Sequence, residues 1–508
     1  MALNGGSGTA FGADPGGLST PDALGALLGT PTQGTEAAIQ TDFGATLAGG
    51  DLVEITGICV QDIYVRTFGI TITGHLGNIA LYQSAAAQAL ASGLPTDGIT
   101  GEVQVVGASR VEFNDILFGT TSGTATLATS GYPDADLALL LVRENANVLL
   151  ENCLIQNSPV RGIDVYDTSS IYLFSTTVTN NGTGDGNERT NSGVAATDTA
   201  SLILGSSAAP GSSANTYAPL ISNNAGDGVY LNSGSSMKMW AGTITGNLQK
   251  QVRIVGSAAS ITGNNAGVAT ITAPGGSTED AIGVIAGGLL VEAGASVQAG
   301  SGGSAISLEA GSGALLQGSN FSGGTITIEA TGTSTIALAG GNIICNGSLS
   351  GSTCSTPFAT AAISIDHVSA FVEAIGITGY NFAALGDTIY GNGTIQLQSS
   401  MDLGAGTPGG QQSITWTTKA GGSITASQNS SLRLNGGVQL YGAIKLTQGS
   451  NGFFNLSTGS NNVTGGVSCP WTQIPSAHVA GPTFVSPTLV LSSSPLAQST
   501  TASQCLGF

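Results

Sequence analysis

The feature that most constrains the fold is a set of short, strand-like segments that recurs about every 23 residues. The clearest copies are 145–167 and 234–256, and each reads strand, short turn, strand, asparagine-containing corner and strand. Strands this short and this frequent indicate repeats, in which each copy is one structural unit packed against the next. Three short strands per copy predict one coil of a solenoid.

Asparagines mark the same corner in successive copies. Asn157, Asn181, Asn224 and Asn247 each follow a strand, and a Gly or Gln opens the next strand four or five residues later, except in the copy that carries an insertion. Asparagine tolerates positive φ and can hydrogen-bond its neighbours in a ladder. We interpret these asparagines as structural corner residues, not as binding residues.

Composition agrees with many strands joined by tight turns. The chain has 78 Gly, and it is 41% hydrophobic but only 8% charged. Glycine and asparagine suit corners, β-branched residues suit strands, and the apolar fraction is too high for disorder. We therefore expect an all-β chain with a continuous buried core, because the alternation persists to about residue 456.

Three segments follow from this pattern. Residues 1–46 are predicted to be a flexible tail with a short helical cap, with helical stubs at 19–24 and 35–40. Residues 47–468 are predicted to form one right-handed parallel β-helix. Residues 469–508, rich in Pro, Ser and Thr, are predicted to be an extended C-terminal tail.

At 47–74 and in the asparagine-marked copies of 145–265, the chain resembles the right-handed parallel β-helix proteins. That superfamily includes pectate lyases, polygalacturonases and phage tailspikes. The resemblance covers about four-fifths of the chain and implies the fold, whereas a fold alone does not specify function. Ile365-Asp366-His367 is similar to a stretch of the pectate lyases, but the arginine pair of that family does not follow it. The signature motifs of the polygalacturonases are also missing.

Charge limits the partners. With 11 Lys and Arg against 30 Asp and Glu, the formal net charge is −19, which disfavours nucleic acid and anionic membrane surfaces. No apolar run is long enough for a membrane span, and the first residues lack the features of a signal peptide. A polysaccharide or cell-surface glycan is the expected partner of a monomer at an extracellular or cell-surface location.

The six cysteines differ in their surroundings. Cys345 and Cys354 flank a Gly/Ser/Thr-rich loop and are predicted to form a local disulfide. Cys469 and Cys505 are a second candidate pair, which would tie down the C-terminal segment. Cys59 and Cys153 lie in strand-like apolar runs, where we expect small buried side chains without reactivity.

Alternation within the strand after each corner predicts which side chains face the core. The expected inward residues are Ile163, Val165, Val194, Ala196, Val229, Leu231, Val252 and Ile254. The expected outward column is Asp164, Ala195, Tyr230 and Arg253, with Tyr166, Thr197 and Asn232 beside it. An aromatic ring flanked by a carboxylate and a guanidinium is a common way to hold a sugar chain. The alternative is an ordinary solvated surface.

The longest charged insertion, 180–193, carries Asp185, Glu188 and Arg189 next to that column. Insertions on a repeat scaffold often carry function, so these residues join the predicted carbohydrate-binding set. Asp185 and Glu188 could contribute to a calcium site. Two carboxylates fall short of a dedicated site, however, so neither a metal nor a cofactor is predicted.

The function expected from these features is a non-catalytic surface protein that presents a polar face to a glycan or to the cell envelope. One alternative is a polysaccharide lyase or glycoside hydrolase, for which Asp164, Asp167, Asp198 and Asp227 supply candidate carboxylates. Another is a trimeric fibre similar to a phage tailspike. The sequence assigns no catalytic residue.

Overall fold

The structure is a computed structural model that forms two compact units, residues 1–270 and 271–508. It describes residues 2–6, 10–12, 52–56, 58–59, 63–65, 68–74, 97–108, 110–120, 138–182, 191–206, 217–263, 269–355, 360–373, 386–404, 414–434, 438–454, 462–463, 467–468, 471–474, 483–485 and 503–506. The predicted helical stubs at 19–24 and 35–40 lie outside these ranges. Within them every regular element is a β-strand, so the predicted all-β class is confirmed.

Each coil of the first unit contributes one strand to each of three parallel sheets, as a right-handed parallel β-helix requires. Sheet 1 contains Leu52–Thr56, Thr71–Gly74, Val111–Asn114, Asn147–Glu151, Ser170–Phe174, Ser201–Leu204, Ser236–Met239 and Ala258–Thr262. Sheet 2 contains Ile58–Cys59, Gly98–Ile99, Leu117–Gly119, Leu154–Gln156, Thr177–Thr179, Leu220–Ser222 and Gly242–Thr245. Sheet 3 contains Ile63–Val65, Val103–Val106, Ala138–Arg143, Arg161–Val165, Val194–Ala196, Val229–Asn232 and Val252–Val255.

The second unit repeats this arrangement. Its sheet 1 contains Leu289–Ala293, Gly313–Gln317, Thr335–Leu338, Ala370–Glu373, Ser400–Leu403, Ser431–Leu434 and Asn451–Phe454. Its sheet 2 contains Ser296–Gln298, Asn320–Ser322, Ile343–Cys345, Asp387–Tyr390, Ile414–Thr417, Val438–Tyr441 and Asn462–Val463. Its sheet 3 contains Ile282–Ile285, Ile306–Leu308, Ile326–Ala330, Ala361–Ile365, Gly393–Ile395, Ser423–Ala426, Ala443–Leu446 and Val467–Ser468. One further strand, Ala269–Thr272, contains the boundary between the units.

Additional strands occupy the two ends of the chain. Ala2–Gly6 pairs in parallel with Leu52–Thr56 and antiparallel with Ala10–Gly12. Ser503–Leu506 pairs antiparallel with Asn451–Phe454 and with Trp471–Ile474, which also pairs with Thr483–Val485. These pairings satisfy the backbone groups of an outer strand in each unit, which would otherwise present an open edge.

Strand alternation builds the core. Ile163, Val194, Val229 and Val252 pair directly along sheet 3, and all four are fully buried. The same is true of Val165, Ala196, Leu231 and Ile254. The predicted inward residues are therefore confirmed, because equivalent side chains in successive coils pack on one another about 4.8 Å apart.

The corner between sheets 2 and 3 differs in one respect from the sequence prediction. Positive φ occurs at Asn157, Asn180 and Asn223, with φ of 62°, 56° and 56°. The asparagine ladder is formed by the following residue in the last two of these corners, Asn181 and Asn224, and then by Asn247. The backbone bend and the ladder thus belong to consecutive residues, and assigning both roles to one asparagine is wrong for Asn181, Asn224 and Asn247.

Each ladder amide bonds to the next. Nδ2 of Asn181 donates to Oδ1 of Asn224 at 3.0 Å, and Nδ2 of Asn224 donates to Oδ1 of Asn247 at 2.8 Å. The backbone N–H groups of Asn181 and Asn224 donate to the same two oxygens. All three asparagines are fully buried. The ladder satisfies the polar groups of the corner where water cannot reach them.

The glycines that follow each corner have a steric reason. A Cβ on Gly162, Gly193 or Gly228 would lie 2.5–2.7 Å from the Nδ2 of the neighbouring ladder asparagine. In the next coil Gln251 takes this position, and its Oε1 accepts a hydrogen bond from Nδ2 of Asn247 at 2.8 Å. The glutamine side chain therefore ends the ladder by replacing the missing asparagine.

We expect Asn224→Ala to lower the free energy of unfolding by about 2–4 kcal/mol, because two buried N–H donors of Asn181 lose their acceptor. Denaturant unfolding monitored by circular dichroism measures this change. The control is Asn223→Gly, which keeps the positive φ next to the ladder and should leave stability nearly unchanged. Equal stability of the two variants would contradict the separate roles of the two asparagines.

The second unit contains a different ladder. Six buried serines follow the turn between sheets 3 and 1: Ser312, Ser334, Ser369, Ser399, Ser430 and Ser450. The backbone N–H of each of the first five donates to the Oγ of the next, at 3.1–3.3 Å. A second ladder runs from Ser319 through Asn342 to Asp387. Burial raises the pKa of Asp387 to about 6, although Asn342 donates two hydrogen bonds to its carboxylate.

Candidate functional site

The outward column predicted on sheet 3 of the first unit is present in the structure. Asp164, Ala195, Tyr230 and Arg253 pair in register along four coils. Gln104 and Leu141 extend the column in the two preceding coils. We use the name polar face for this side of sheet 3, with the residues Gln104, Arg143, Arg161, Asp164, Tyr166, Asp227, Tyr230, Lys250 and Arg253.

Burial along the polar face is greater than alternation alone suggests. Asp164 is fully buried and Arg253 is 8% exposed, whereas Tyr166 and Tyr230 are half-buried. The Asp164 carboxylate forms an ion pair and a hydrogen bond with Arg161, which is itself buried. Outward direction in this sheet is therefore not equivalent to solvent exposure, and the two tyrosines are the more accessible members of the predicted column.

A second buried ion pair lies two coils further along. Nε of Arg253 donates to Oδ2 of Asp227 at 2.7 Å, and Nη2 approaches Oδ1 at 3.4 Å. Oδ1 of Asp227 also accepts a hydrogen bond from the backbone N–H of Lys250 at 2.9 Å. A guanidinium held by both carboxylate oxygens has a fixed orientation.

Arg161, Asp227 and Lys250 form a charged column that the sequence prediction did not include as a group. Each lies two residues before the first inward residue of its strand, as does Ser192. The backbone N–H groups of Gly162, Gly193 and Gly228 donate to the carbonyls of Ser192, Asp227 and Lys250, so these positions are equivalent from coil to coil. Aligning the copies on their inward residues would have revealed this column.

Charge on the polar face contrasts with the rest of the chain. The polar face holds four of the 11 cationic residues, Arg143, Arg161, Lys250 and Arg253, against two carboxylates, Asp164 and Asp227. These residues therefore carry two excess positive charges, in a chain whose net charge is −19. Such a local reversal of sign favours a ligand with anionic groups.

Tyr166 lies beside this cluster. Burial raises the pKa of its phenol above the usual value, with nearby Arg143 acting in the opposite direction. The phenol is therefore protonated at neutral pH. Nη2 of Arg143 donates to Oε1 of Gln104 at 3.2 Å, so this side of the face offers neutral polar groups and one cation.

Several predicted residues fall outside the described residues. These include Asp185, Glu188 and Arg189 of the insertion and Cys469, and the side chain of Cys505 is likewise not described. Among the described residues no group of three His, Cys, Asp or Glu side chains could hold a metal ion. The possible calcium site at Asp185 and Glu188 stays a prediction.

The side chain of Cys59 is not described either, whereas those of three other cysteines are. Cys345 and Cys354 form a disulfide with Cα atoms 5.6 Å apart, which ties a sheet 2 strand to a hairpin formed by Ser348–Ser350 and Thr353–Ser355. Cys153 is buried and free. Burial raises the pKa of its thiol far above the usual value, so the reactive thiolate is suppressed.

The stretch that resembles the pectate lyases lies at a turn of the second unit. Asp366 contacts His367 at 3.2 Å, and His367 is 63% exposed. His367 and Val368 both have positive φ, as do Asp167 and Thr168 at the equivalent turn of another coil. We therefore assign Asp366 and His367 to the turn and not to a lyase centre.

Neither a protein-family model nor a curated protein matches this chain. Its function must therefore be inferred from the fold and from the geometry of the polar face. Among the described residues there is no helix with the length and apolar character needed to cross a membrane.

Proposed function

We propose that this protein is a non-catalytic, extracellular or surface-exposed β-helix that binds a polysaccharide or cell-surface glycan through its polar face. One observation supports this most directly: four charged side chains are fixed in two buried ion pairs that span four coils, next to half-buried Tyr166 and Tyr230. The resemblance to the pectate-lyase-like superfamily, many of whose members act on polysaccharides, points to the same class of ligand.

The chemistry of the face suits an acidic glycan. Tyrosine rings pack on the C–H faces of sugars, while guanidinium and ammonium groups bind hydroxyls and carboxylates. Because four coils extend over about 14 Å, the face could contact several sugar units of a chain that crosses the strands. The excess positive charge favours uronate units over neutral ones.

An extracellular location is consistent with the disulfide between Cys345 and Cys354. Disulfides persist in oxidising compartments and are rare in the cytosol. The net charge of −19 would also favour solubility outside the cell.

We expect Tyr230→Ala to weaken binding of an acidic polysaccharide about tenfold, since one stacking contact is lost while both ion pairs are kept. Titration calorimetry with polygalacturonate and alginate, each with and without calcium, measures the affinity. Tyr441→Ala is the matched control, because Tyr441 is an exposed tyrosine of the second unit and is 49% exposed.

The same samples separate the alternatives. Release of reducing ends or unsaturated uronates would show an enzyme and contradict the non-catalytic proposal. Failure of every acidic polysaccharide to bind would contradict the proposed ligand. A sedimentation mass near 50.0 kDa is expected for the monomer, whereas a threefold larger mass would support the fibre alternative.

A further inference from the structure

Aromatic side chains line the outward side of sheet 1 in the first unit, on coils that also contribute to the polar face. Leu149, Tyr172, Ile203 and Lys238 pair in register along this side. Phe174 lies two residues beyond Tyr172, and Trp240 directly follows the strand Ser236–Met239. We use the name aromatic strip for Tyr172, Phe174, Tyr217 and Trp240.

Three of the four rings in the strip pack against one another, and Lys238 packs on the fourth. Tyr172 and Phe174 pack edge to face with ring centroids 6.4 Å apart, and Phe174 and Tyr217 do so at 5.9 Å. Nζ of Lys238 lies 4.0 Å from the centroid of the Trp240 ring. Tyr217 is 39% exposed, and the other three rings are half-buried. A preorganised aromatic surface loses little conformational entropy when it binds a ligand.

Exposure of these rings is unusual for this chain, which is only 5% aromatic. Grouped apolar side chains that remain accessible on a folded protein commonly mark a binding surface. The rings do not contribute to the axial core, because the inward residues of the same strands, such as Ile171 and Leu173, are already fully buried.

Polar side chains run beside the strip and indicate the chemistry of its ligand. Asn147, Ser170, Ser201 and Ser236 pair in register along the same side of the sheet. Hydroxyl and amide groups next to aromatic rings complement a pyranose, which has apolar C–H faces and a polar rim. Within this column Nδ2 of Asn147 donates to Oγ of Ser170 and Oγ of Ser236 donates to Oγ of Ser201, and each hydroxyl keeps further hydrogen-bonding capacity for a ligand.

Charge distinguishes this surface from the polar face. Glu112 pairs with Leu149, and Glu151 pairs with Phe174, so two carboxylates border the strip in the preceding coils. Burial and repulsion from Glu112 both raise the pKa of Glu151. The ammonium group of Lys238 already makes a cation–π contact with the Trp240 ring. An acidic glycan would be repelled here, whereas a neutral one would not.

From this geometry we propose that the aromatic strip is a second glycan-binding surface, which binds a neutral polysaccharide chain independently of the polar face. The sugar rings stack on Tyr172, Tyr217 and Trp240, and the serine column donates to and accepts from their hydroxyls. The two faces of the first unit would then bind glycans of different charge.

Titration of the whole chain with neutral hexaoses tests this proposal, with β-1,4-glucan, β-1,3-glucan and β-1,4-xylan as probes. At least one should bind, and binding should perturb tryptophan fluorescence, because Trp240 is half-buried in the strip whereas Trp416 is fully buried in the core. Tyr217→Ala and Trp240→Ala should each weaken that binding about tenfold. Trp240→Phe, which keeps a ring, should weaken it less.

Matched controls make the result specific. Tyr230→Ala of the polar face and Tyr441→Ala of the second unit should leave neutral binding unchanged, and hexagalacturonate should not compete. Tyr217 lies outside the strands, so its variant tests the strip even if Trp240→Ala fails to fold.

The proposal is overturned if no neutral hexaose binds the folded chain, or if Tyr217→Ala and Trp240→Phe bind as the unchanged protein does. It is also overturned if hexagalacturonate competes, or if sedimentation shows a dimer that these variants dissociate. None of these outcomes bears on acidic-glycan binding at the polar face, which is assayed separately.

Discussion

Gly228→Ala should lower the free energy of unfolding by about 3 kcal/mol, the upper end of the usual cost of overpacking a core. The added Cβ would lie 2.5 Å from Nδ2 of Asn247, 2.6 Å from the carbonyl oxygen of Gln251 and 2.7 Å from Cγ2 of Ile244. Moving any of these atoms would break a hydrogen bond or disturb the packing of the core. The carbonyl accepts a hydrogen bond from the backbone N–H of Val229, and the amide is bonded to Gln251.

Denaturant unfolding of the purified variant measures this effect as a lower midpoint with an unchanged slope. Gly276→Ala is the matched control, since a Cβ at Gly276 would have no atom within 4 Å and Gly276 has no positive φ. Its stability should change by less than about 0.5 kcal/mol. Equal midpoints for the two variants would show that the corner has room for a methyl group, and the steric account of the glycines would be wrong.

Glu292→Gln should make the stability of the protein less dependent on pH. Glu292 is fully buried and points into the core of the second unit, where it pairs with Leu316. Neither carboxyl oxygen has a hydrogen-bond partner among the described residues. Burial raises the pKa of this carboxyl to about 8 from a usual value of 4.5.

The direction of this pH dependence follows from the linkage between proton binding and folding. The folded state holds the proton to higher pH than the unfolded state does, so the stabilising contribution of protonated Glu292 is complete below about pH 4.5. It is lost as the pH rises towards about 8, with a slope approaching 1.4 kcal/mol per pH unit. Unfolding curves at pH 5, 6, 7 and 8 should show this slope reduced in Glu292→Gln, which is therefore the more stable protein at pH 8.

Glu309→Gln serves as the control for this experiment, because Glu309 is an exposed carboxylate of the same unit. Its unfolding free energy should keep the pH dependence that Glu292 contributes, and only the smaller contribution of Glu329, whose pKa the charge of Glu309 helps to raise, should change. If Glu292→Gln kept the same dependence as well, Glu292 would have to be ionised in the folded state. The ionised carboxylate would then need a hydrogen-bond donor or a positive charge inside the coil to stabilise it.

Much of the fold was predictable because its information is local. The two-residue period of a strand identifies Ile163, Val165 and Leu231 as core residues without knowledge of their neighbours. The recurrence of the same corner indicated coils of about 23 residues. The register of Asp164, Ala195, Tyr230 and Arg253 followed from aligning those corners.

The properties of the site were less predictable because they depend on several coils at once. Asp164 is outward by alternation, yet it is fully buried against Arg161. Asp227 meets Arg253 across 26 residues of sequence. The aromatic strip is not evident in the sequence because Phe174 and Tyr217 are 43 residues apart and meet only in the folded chain.

The sequence by itself determined the architecture of this protein: an all-β chain of stacked coils with an aliphatic axis and asparagine corners. It could do so because strand alternation and corner chemistry are encoded within a few consecutive residues. Only the tertiary structure decided which outward side chains are accessible, which charges pair and which aromatic rings share one surface. Several of those properties arise between residues about one coil or more apart in sequence, such as Asp227 and Arg253 or Phe174 and Tyr217, which become neighbours only when the coils stack.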